Sequence, residues 1–233
     1  MPDWSVPHYG RRITWKIDKF GPSAVIFDMD GLMFDTERLA QVAWYRAAAD
    51  YGYELTESIY LGVIGLTSRD VEAYFRQSIG EDFPFQKIYR RKQQYVEDLV
   101  AREGIPLKPG LLELLELLGE LSIPKGVASS TAKDIVSRNI SRAGLQFNVV
   151  VGGDEVPNGK PAPDIFLAVA RQLQELAERC LVLEDSNAGI IAANAAGMVP
   201  VMIPDMKPPT EQVRRLAYRI LPSLHEVRSL LTQ

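Results

Sequence analysis

The sequence predicts an α/β protein: a Rossmann-like parallel sheet with helices on both faces, interrupted by an inserted all-helical cap domain. Three observations predict it. Five short runs are apolar at almost every position, as strands covered on both faces are: AVIF (24–27), KGVAS (125–129), NVVV (148–151), CLVL (180–183) and PVMI (200–203). Helical patterns alternate with the later runs, as in a parallel sheet built from strand–helix–strand units. And residues 28–124 separate the first run from the second, far more than the dozen or so residues a crossover needs.

Taken in order, residues 1–23 form an N-terminal arm, irregular or strand-like. The first strand follows at 24–27. The surplus in the long connection reads as a helical cap at 37–104, with helices expected from Thr36 to Gly52, from Thr67 to Ile79 and from Pro84 to Glu103. Thr36 and Thr67 are N-cap candidates. Glycine or proline marks both joints, DGLMFDTE and EGIPLKPG. The core is then 24–36 plus 105–233. Leu111, Leu114, Leu115, Leu118 and Leu121 repeat at helical spacing behind Pro109, a residue suited to a first turn. Further helices are expected over Thr131–Ala143, stopped by Gly144, and over Asn187–Ala196, stopped by Gly197. A cap after the first strand sits over the carboxyl ends of the sheet, where a lid belongs.

Composition narrows the function. A net charge of −4 offers no basic footprint for nucleic acid. No apolar run approaches the ~20 residues that span a bilayer, so no membrane partner is expected, and the N-terminus lacks the apolar block of a signal peptide. Cys180 is the only cysteine, which makes a reducing cytoplasm the default location. A monomer is the default assembly.

The chemistry sits at the strand ends. Asp28 and Asp30 follow AVIF two residues apart, so an extended backbone points both carboxylates the same way. Two acids that close repel unless a proton or cation lies between them. Glu184 and Asp185 follow CLVL in the same manner, ahead of Ser186 and Asn187, which suit a helix cap. Up to four carboxylates at neighbouring strand ends, without His or Cys, select a hard cation such as Mg²⁺ or Ca²⁺ and disfavour zinc. In VASSTAKD, Ser129, Ser130 and Thr131 precede a helix whose N-terminus can take an anion. In NGKPAPDIF, Lys160 lies in a loop restricted by Pro161 and Pro163.

Together VIFDMDG, the serine of VASS, GKPAPDIF and LEDSNAGIIAANAAGM resemble the four sequence motifs of the haloacid dehalogenase superfamily, across nearly all of residues 24–204. The position of the insertion resembles that of its β-phosphoglucomutase-like subgroup with a helical cap. The resemblance implies a Mg²⁺-dependent phosphatase acting on a small phosphorylated metabolite, a sugar phosphate or nucleoside monophosphate. It implies Asp28 as nucleophile, Asp30 as general acid and base, Ser129 on the phosphoryl oxygens, and Lys160 as the balancing charge. Mg²⁺ is implied between Asp28, the backbone carbonyl of Asp30 and Asp185, with Glu184 a ligand directly or through water. Ser130 is a further candidate for binding the phosphate. Arg69, in GLTSRD, resembles a substrate-contacting cap arginine. Trp44 and Tyr45 read as packing inside the cap.

The rival readings are a phosphosugar mutase, a dehalogenase, a phosphonate hydrolase and a non-catalytic phosphate-binding or regulatory protein. Mutase relatives carry a cap histidine twelve residues after the nucleophile, where this chain has Ala40. A dehalogenase needs neither a second acid nor a metal. A phosphonate hydrolase needs a cap lysine, and residues 36–68 contain none. A non-catalytic protein has no need of a full motif set.

Overall fold

The computed structural model describes residues 21–64 and 68–232, with all of their side chains except those of Ser68 and Arg69. Most of the arm, at 1–20, and the expected helix cap Thr67 lie outside the described residues. Among those described, six parallel strands form one sheet: β1 (Ala24–Phe27), β2 (Lys125–Ala128), β3 (Val149–Val151), β4 (Cys180–Glu184), β5 (Val199–Met202) and β6 (Arg219–Ile220). Their order is β3-β2-β1-β4-β5-β6. The chain builds outward from β1 to β3, then returns to the other side of β1 to lay down β4. The order therefore reverses between β1 and β4, and the crevice outside their carboxyl ends is where such sheets bind ligands.

The continuous apolar runs have a simple cause. Val25 and Phe27 pack on one face with Leu111, Leu114 and Leu118 of α5 (Leu111–Glu120), with α6 (Lys133–Arg142) and with α10 (Leu224–Leu231). Ala24 and Ile26 face the opposite side, against α7 (Asp164–Leu173) and α8 (Asn187–Ala195). Successive residues alternate faces, and both faces are covered, so every residue of β1 is fully buried. None of the described helices is long and apolar enough to cross a membrane.

Between β1 and α5 run four helices: α1 (Thr36–Ala49), α2 (Glu57–Val63), α3 (Ser68–Ile79) and α4 (Phe85–Glu103). They bury a cluster of their own around Trp44, Tyr60, Phe75, Phe83, Phe85 and Ile88. Trp44 lies 4.8 Å from Phe75, centroid to centroid, and Tyr45 packs at the margin of the cluster, as expected of both. Two linkers join this layer to the sheet side by side: Asp35 N–H donates to the Pro106 carbonyl and Lys108 N–H to that of Met33, both at 2.9 Å.

The structure also corrects the expected elements. Thr36 does not cap α1. It is the first helical residue, the N-cap position belongs to Asp35, and the Thr36 hydroxyl is used elsewhere. Thr131 likewise stands outside α6, which begins two residues later. Helices α2, α7, α9 (Glu211–Leu216) and α10 and the two-residue β6 were not anticipated. In α7 the two prolines masked the pattern: Pro163 occupies the N-cap position and the helix runs on from Asp164.

Candidate active site

Register brings the acidic motifs together. Phe27 is paired with Val127 on one side and with Leu183 on the other. The next residues along the three strands are Asp28, Ala128 and Glu184, followed by Ser129 and Asp185 on the flanking chains. The Asp28 N–H donates to the Leu183 carbonyl at 3.0 Å, locking this level of the sheet. One carboxylate oxygen from each of Asp28, Glu184 and Asp185 lies within 4.8 Å of the other two. Asp28 and Glu184 are buried, at 6% and 1% exposure.

Lys160 enters from the loop before α7. Its ammonium donates to Asp28 Oδ1, to Glu184 Oε1 at 2.5 Å and to the Ala128 carbonyl at 3.2 Å. One cation thus bridges the two motifs. It does not fully compensate them. Burial pushes the Asp28 carboxyl up to about 8 in spite of Lys160, and burial with the charge of Glu184 pushes Asp185 well above the carboxylate range. Burial alone would lower the Lys160 pKa, but Asp28 and Glu184 outweigh it and raise it. Two buried carboxylates and the half-buried Asp185 grouped around one ammonium are a donor set with room for more positive charge. All the donors are oxygen, which fits a hard divalent cation. Glu184 Oε2 accepts the Ser186 N–H at 2.7 Å. Both of its oxygens are therefore engaged, and Asp185 packs against Gly31. At Gly31 (φ +86°) a Cβ would stand 2.5 Å from Asp185 Oδ2, so only glycine allows that approach.

Asp30 is held separately. Its Oδ1 accepts the Thr36 hydroxyl at 2.8 Å and its Oδ2 the Thr131 hydroxyl at 2.9 Å. Ser129 is 1% exposed, and its Oγ accepts the Thr131 N–H at 3.1 Å. Ser130 is exposed at the same turn. Arg69 belongs to the first turn of α3, and its side chain lies outside the described residues. The structure therefore brings Asp28, Lys160, Glu184 and Asp185 into one cluster, with Asp30 and Ser129 joined through Thr131. Thr36 was read only as a cap and Thr131 only as part of a helix start.

A cavity of about 360 Å³ opens between the four-helix layer and Thr131, lined also by Glu37, Ala40, Trp44, Tyr60 and Lys92. The Tyr60 hydroxyl donates to the Glu37 carbonyl at 2.7 Å and to its Oε2 at 3.2 Å. Burial raises the Glu37 pKa and lowers that of Lys92. Sequence spacing gave no sign of this lining, because its members come from four helices and a core loop.

Buried acids and a hydroxyl thus stand at the ends of three adjacent strands, bridged by a lysine from the loop before α7. The chain belongs to the haloacid dehalogenase-like hydrolases, whose family model matches residues 25–203. It is 35% identical over 182 residues to a phosphorylated carbohydrates phosphatase of Thermotoga maritima, covering 75% of this chain and 82% of that one. It is 34% identical over 211 residues to a probable pseudouridine-5′-phosphatase of Drosophila melanogaster, covering 87% and 90%. A Thermotoga maritima crystal structure assigned provisionally to β-phosphoglucomutase superposes with a TM-score of 0.76 at 29% identity, covering 90% of this chain and 98% of that one. The protein is an enzyme, a phosphatase, and the non-catalytic reading gives way to that.

Proposed function

We propose that the protein is a Mg²⁺-dependent phosphomonoester hydrolase working through an aspartyl-phosphate on Asp28. The observation that carries this reading is the meeting of Asp28, Glu184 and Asp185 around Lys160 at adjacent strand ends. Asp28 attacks phosphorus and the bond to the leaving oxygen breaks. Asp30 gives that oxygen its proton. A water then attacks the phosphorus of the aspartyl-phosphate, gives a proton to Asp30, and Asp28 is released with inorganic phosphate. Ser129 and the exposed Ser130 donate to the phosphoryl oxygens, and Lys160 balances their charge and opposes the upward push of burial on Asp28. Asp28, Asp185, the Asp30 backbone carbonyl and Glu184 would hold Mg²⁺, which when bound lowers the repulsion between carboxylate and phosphate.

Residues 37–104 act in this reading as the cap over a core formed by 24–36 and 105–233. Their cavity receives the leaving group, with Arg69 as a further substrate contact. The substrate class is a sugar phosphate or nucleoside monophosphate. The named phosphatases among the relatives support it, as does a cavity that mixes Trp44 with Glu37, Tyr60 and Lys92. Mutase chemistry is disfavoured because Ala40, which lines that cavity, has no donor with which to keep the second acid from water. The test is phosphate release over a panel of phosphorylated metabolites, with Mg²⁺ or with a chelator, beside an Asp28→Asn control. Release that requires Mg²⁺ and disappears in the control is expected. Release that survives in freshly prepared, non-deamidated Asp28→Asn would refute the nucleophile. Phosphorus NMR with β-glucose 1-phosphate and a bisphosphate primer should show free phosphate rather than glucose 6-phosphate.

A further inference from the structure

We infer that Thr131 is a positioning residue for Asp30, anchoring one oxygen of that carboxylate so that the other is presented to the leaving group; this rests on the role proposed for Asp30 above. Every polar group of Thr131 is engaged. Its N–H donates to Ser129 Oγ at 3.1 Å, its carbonyl accepts the Gly153 N–H at 2.9 Å, and its hydroxyl donates to Asp30 Oδ2 at 2.9 Å. The turn that carries it is clamped from below. A Cβ on Gly153 would lie 2.3 Å from the Ser130 carbonyl oxygen, and one on Gly152 2.2 Å from the Lys133 nitrogen. Asp154 Oδ1 accepts that Lys133 N–H at 2.8 Å, supplying α6 with the capping acceptor its own N-cap residue, Ala132, lacks.

The two hydroxyls on Asp30 differ in what carries them. Thr36 is the first residue of α1, at the joint where the chain leaves the core for the helical layer. Thr131 stands on the core, fixed to the sheet through Ser129, whose own N–H donates to the Val151 carbonyl at 3.2 Å. Thr131 also lines the cavity assigned to the leaving group. Oδ2 therefore has a fixed partner on the body that carries the nucleophile. Oδ1 has a partner that the leaving oxygen can replace. Holding a proton donor within hydrogen-bond reach of the atom that receives the proton is a condition for general acid catalysis, and a single anchored oxygen leaves the carboxylate one rotation about that contact.

The experiment compares kcat/KM for an alkyl phosphomonoester taken from the panel, whose leaving oxygen needs a proton, and for p-nitrophenyl phosphate, whose leaving group departs without one. This ratio reports steps up to the first departure, so later hydrolysis does not enter. Thr131→Val keeps the shape and loses the hydroxyl. It should cost at least ~10-fold on the alkyl ester, within the ~10²–10⁴ that general acid catalysis supplies, and less than ~3-fold on the nitrophenyl ester. Thr131→Ser should recover most of the loss. Equal losses on both esters, no loss on either, or no recovery with serine would overturn the inference while leaving the phosphatase reading in place. A wild-type enzyme that releases phosphate from neither ester would remove that reading and this inference together.

Discussion

Lys160 shows how much one side chain carries at this site. With 6% of its side chain exposed, it is ion-paired to both Asp28 and Glu184. Removing one partner from a buried ionic cluster leaves uncompensated charge, at a cost of about 3 kcal/mol. Lys160→Met should therefore lower stability in chelator by about that amount, and Glu184→Gln in the same chain should recover part of it. Chemical denaturation of the single and double variants tests this. A single variant as stable as wild type would mean that the acids take up protons without strain. The paired acids were legible in the sequence because they directly follow buried strands, whereas this lysine, in a loop, was picked out by its resemblance to a family motif. Thr36 and Thr131 were not, because a hydroxyl beside a helix start has an ordinary use as a cap, and nothing local distinguishes the two uses.

At the scale of an element, α8 is built to pass beneath Glu184. Ser186 caps it by accepting the Gly189 N–H at 3.0 Å. A Cβ on Gly189 would stand 1.9 Å from the Glu184 carboxyl carbon. Helix propensity alone makes Gly→Ala favourable by ~1 kcal/mol, but here the collision is with the side chain of a proposed ligand and it dominates. Gly189→Ala should destabilise the protein and reduce phosphate release at least ~10-fold, within the losses that misplaced catalytic groups bring. Gly119 in α5 is the control: exposed, with nothing within 4 Å of a Cβ. Gly119→Ala should stabilise by ~0.5–1 kcal/mol without changing activity. Thermal unfolding of the two variants decides it, and shifts of the same sign would defeat the argument. The small residues of NAGIIAANA are read from the sequence as a helix; that one of them makes room for an acid on the preceding strand is not.

Across the whole molecule, the two linkers are tied by charge. Asp205, in the loop after β5, accepts from Arg38 of α1 and from Lys108 of the returning linker, both at 2.7 Å, while Asp35 accepts from Arg38 at 2.7 Å. The Asp205 side chain is 1% exposed and its Oδ2 has no hydrogen-bond partner among the described residues. In the same loop Lys207 donates to the Ile64 carbonyl at 2.6 Å. Four segments far apart in sequence thus meet where the helical layer joins the sheet. Arg38 is half-exposed, so the network is worth less than a buried cluster, about 2 kcal/mol between the two limits. Asp205→Ala should lower stability by about that much. Amide exchange should quicken more at residues 33–39 and 105–109 than at β1 and β4. Exchange that quickens evenly over the chain would show general destabilisation and not a loosened joint.

What the sequence showed by itself was five of the strands and several of the helices, a helical stretch after the first strand, and the acids that end two of the strands. These follow from covalent neighbourhood: an apolar run long enough to be buried, and a charged residue directly after it. Some features were decided only by tertiary structure. One is the six-strand order that places β4 beside β1, and another is the registration of Asp28 with Glu184. The threonine pair on Asp30 and the cavity formed by α1, α2, α3 and α4 with Thr131 belong with them. The physical reason is separation along the chain. Thr131 reaches Asp30 across 101 residues, and Lys160 reaches Asp28 across 132. Such contacts depend on how each crossover returns to the sheet, which no stretch of sequence specifies alone.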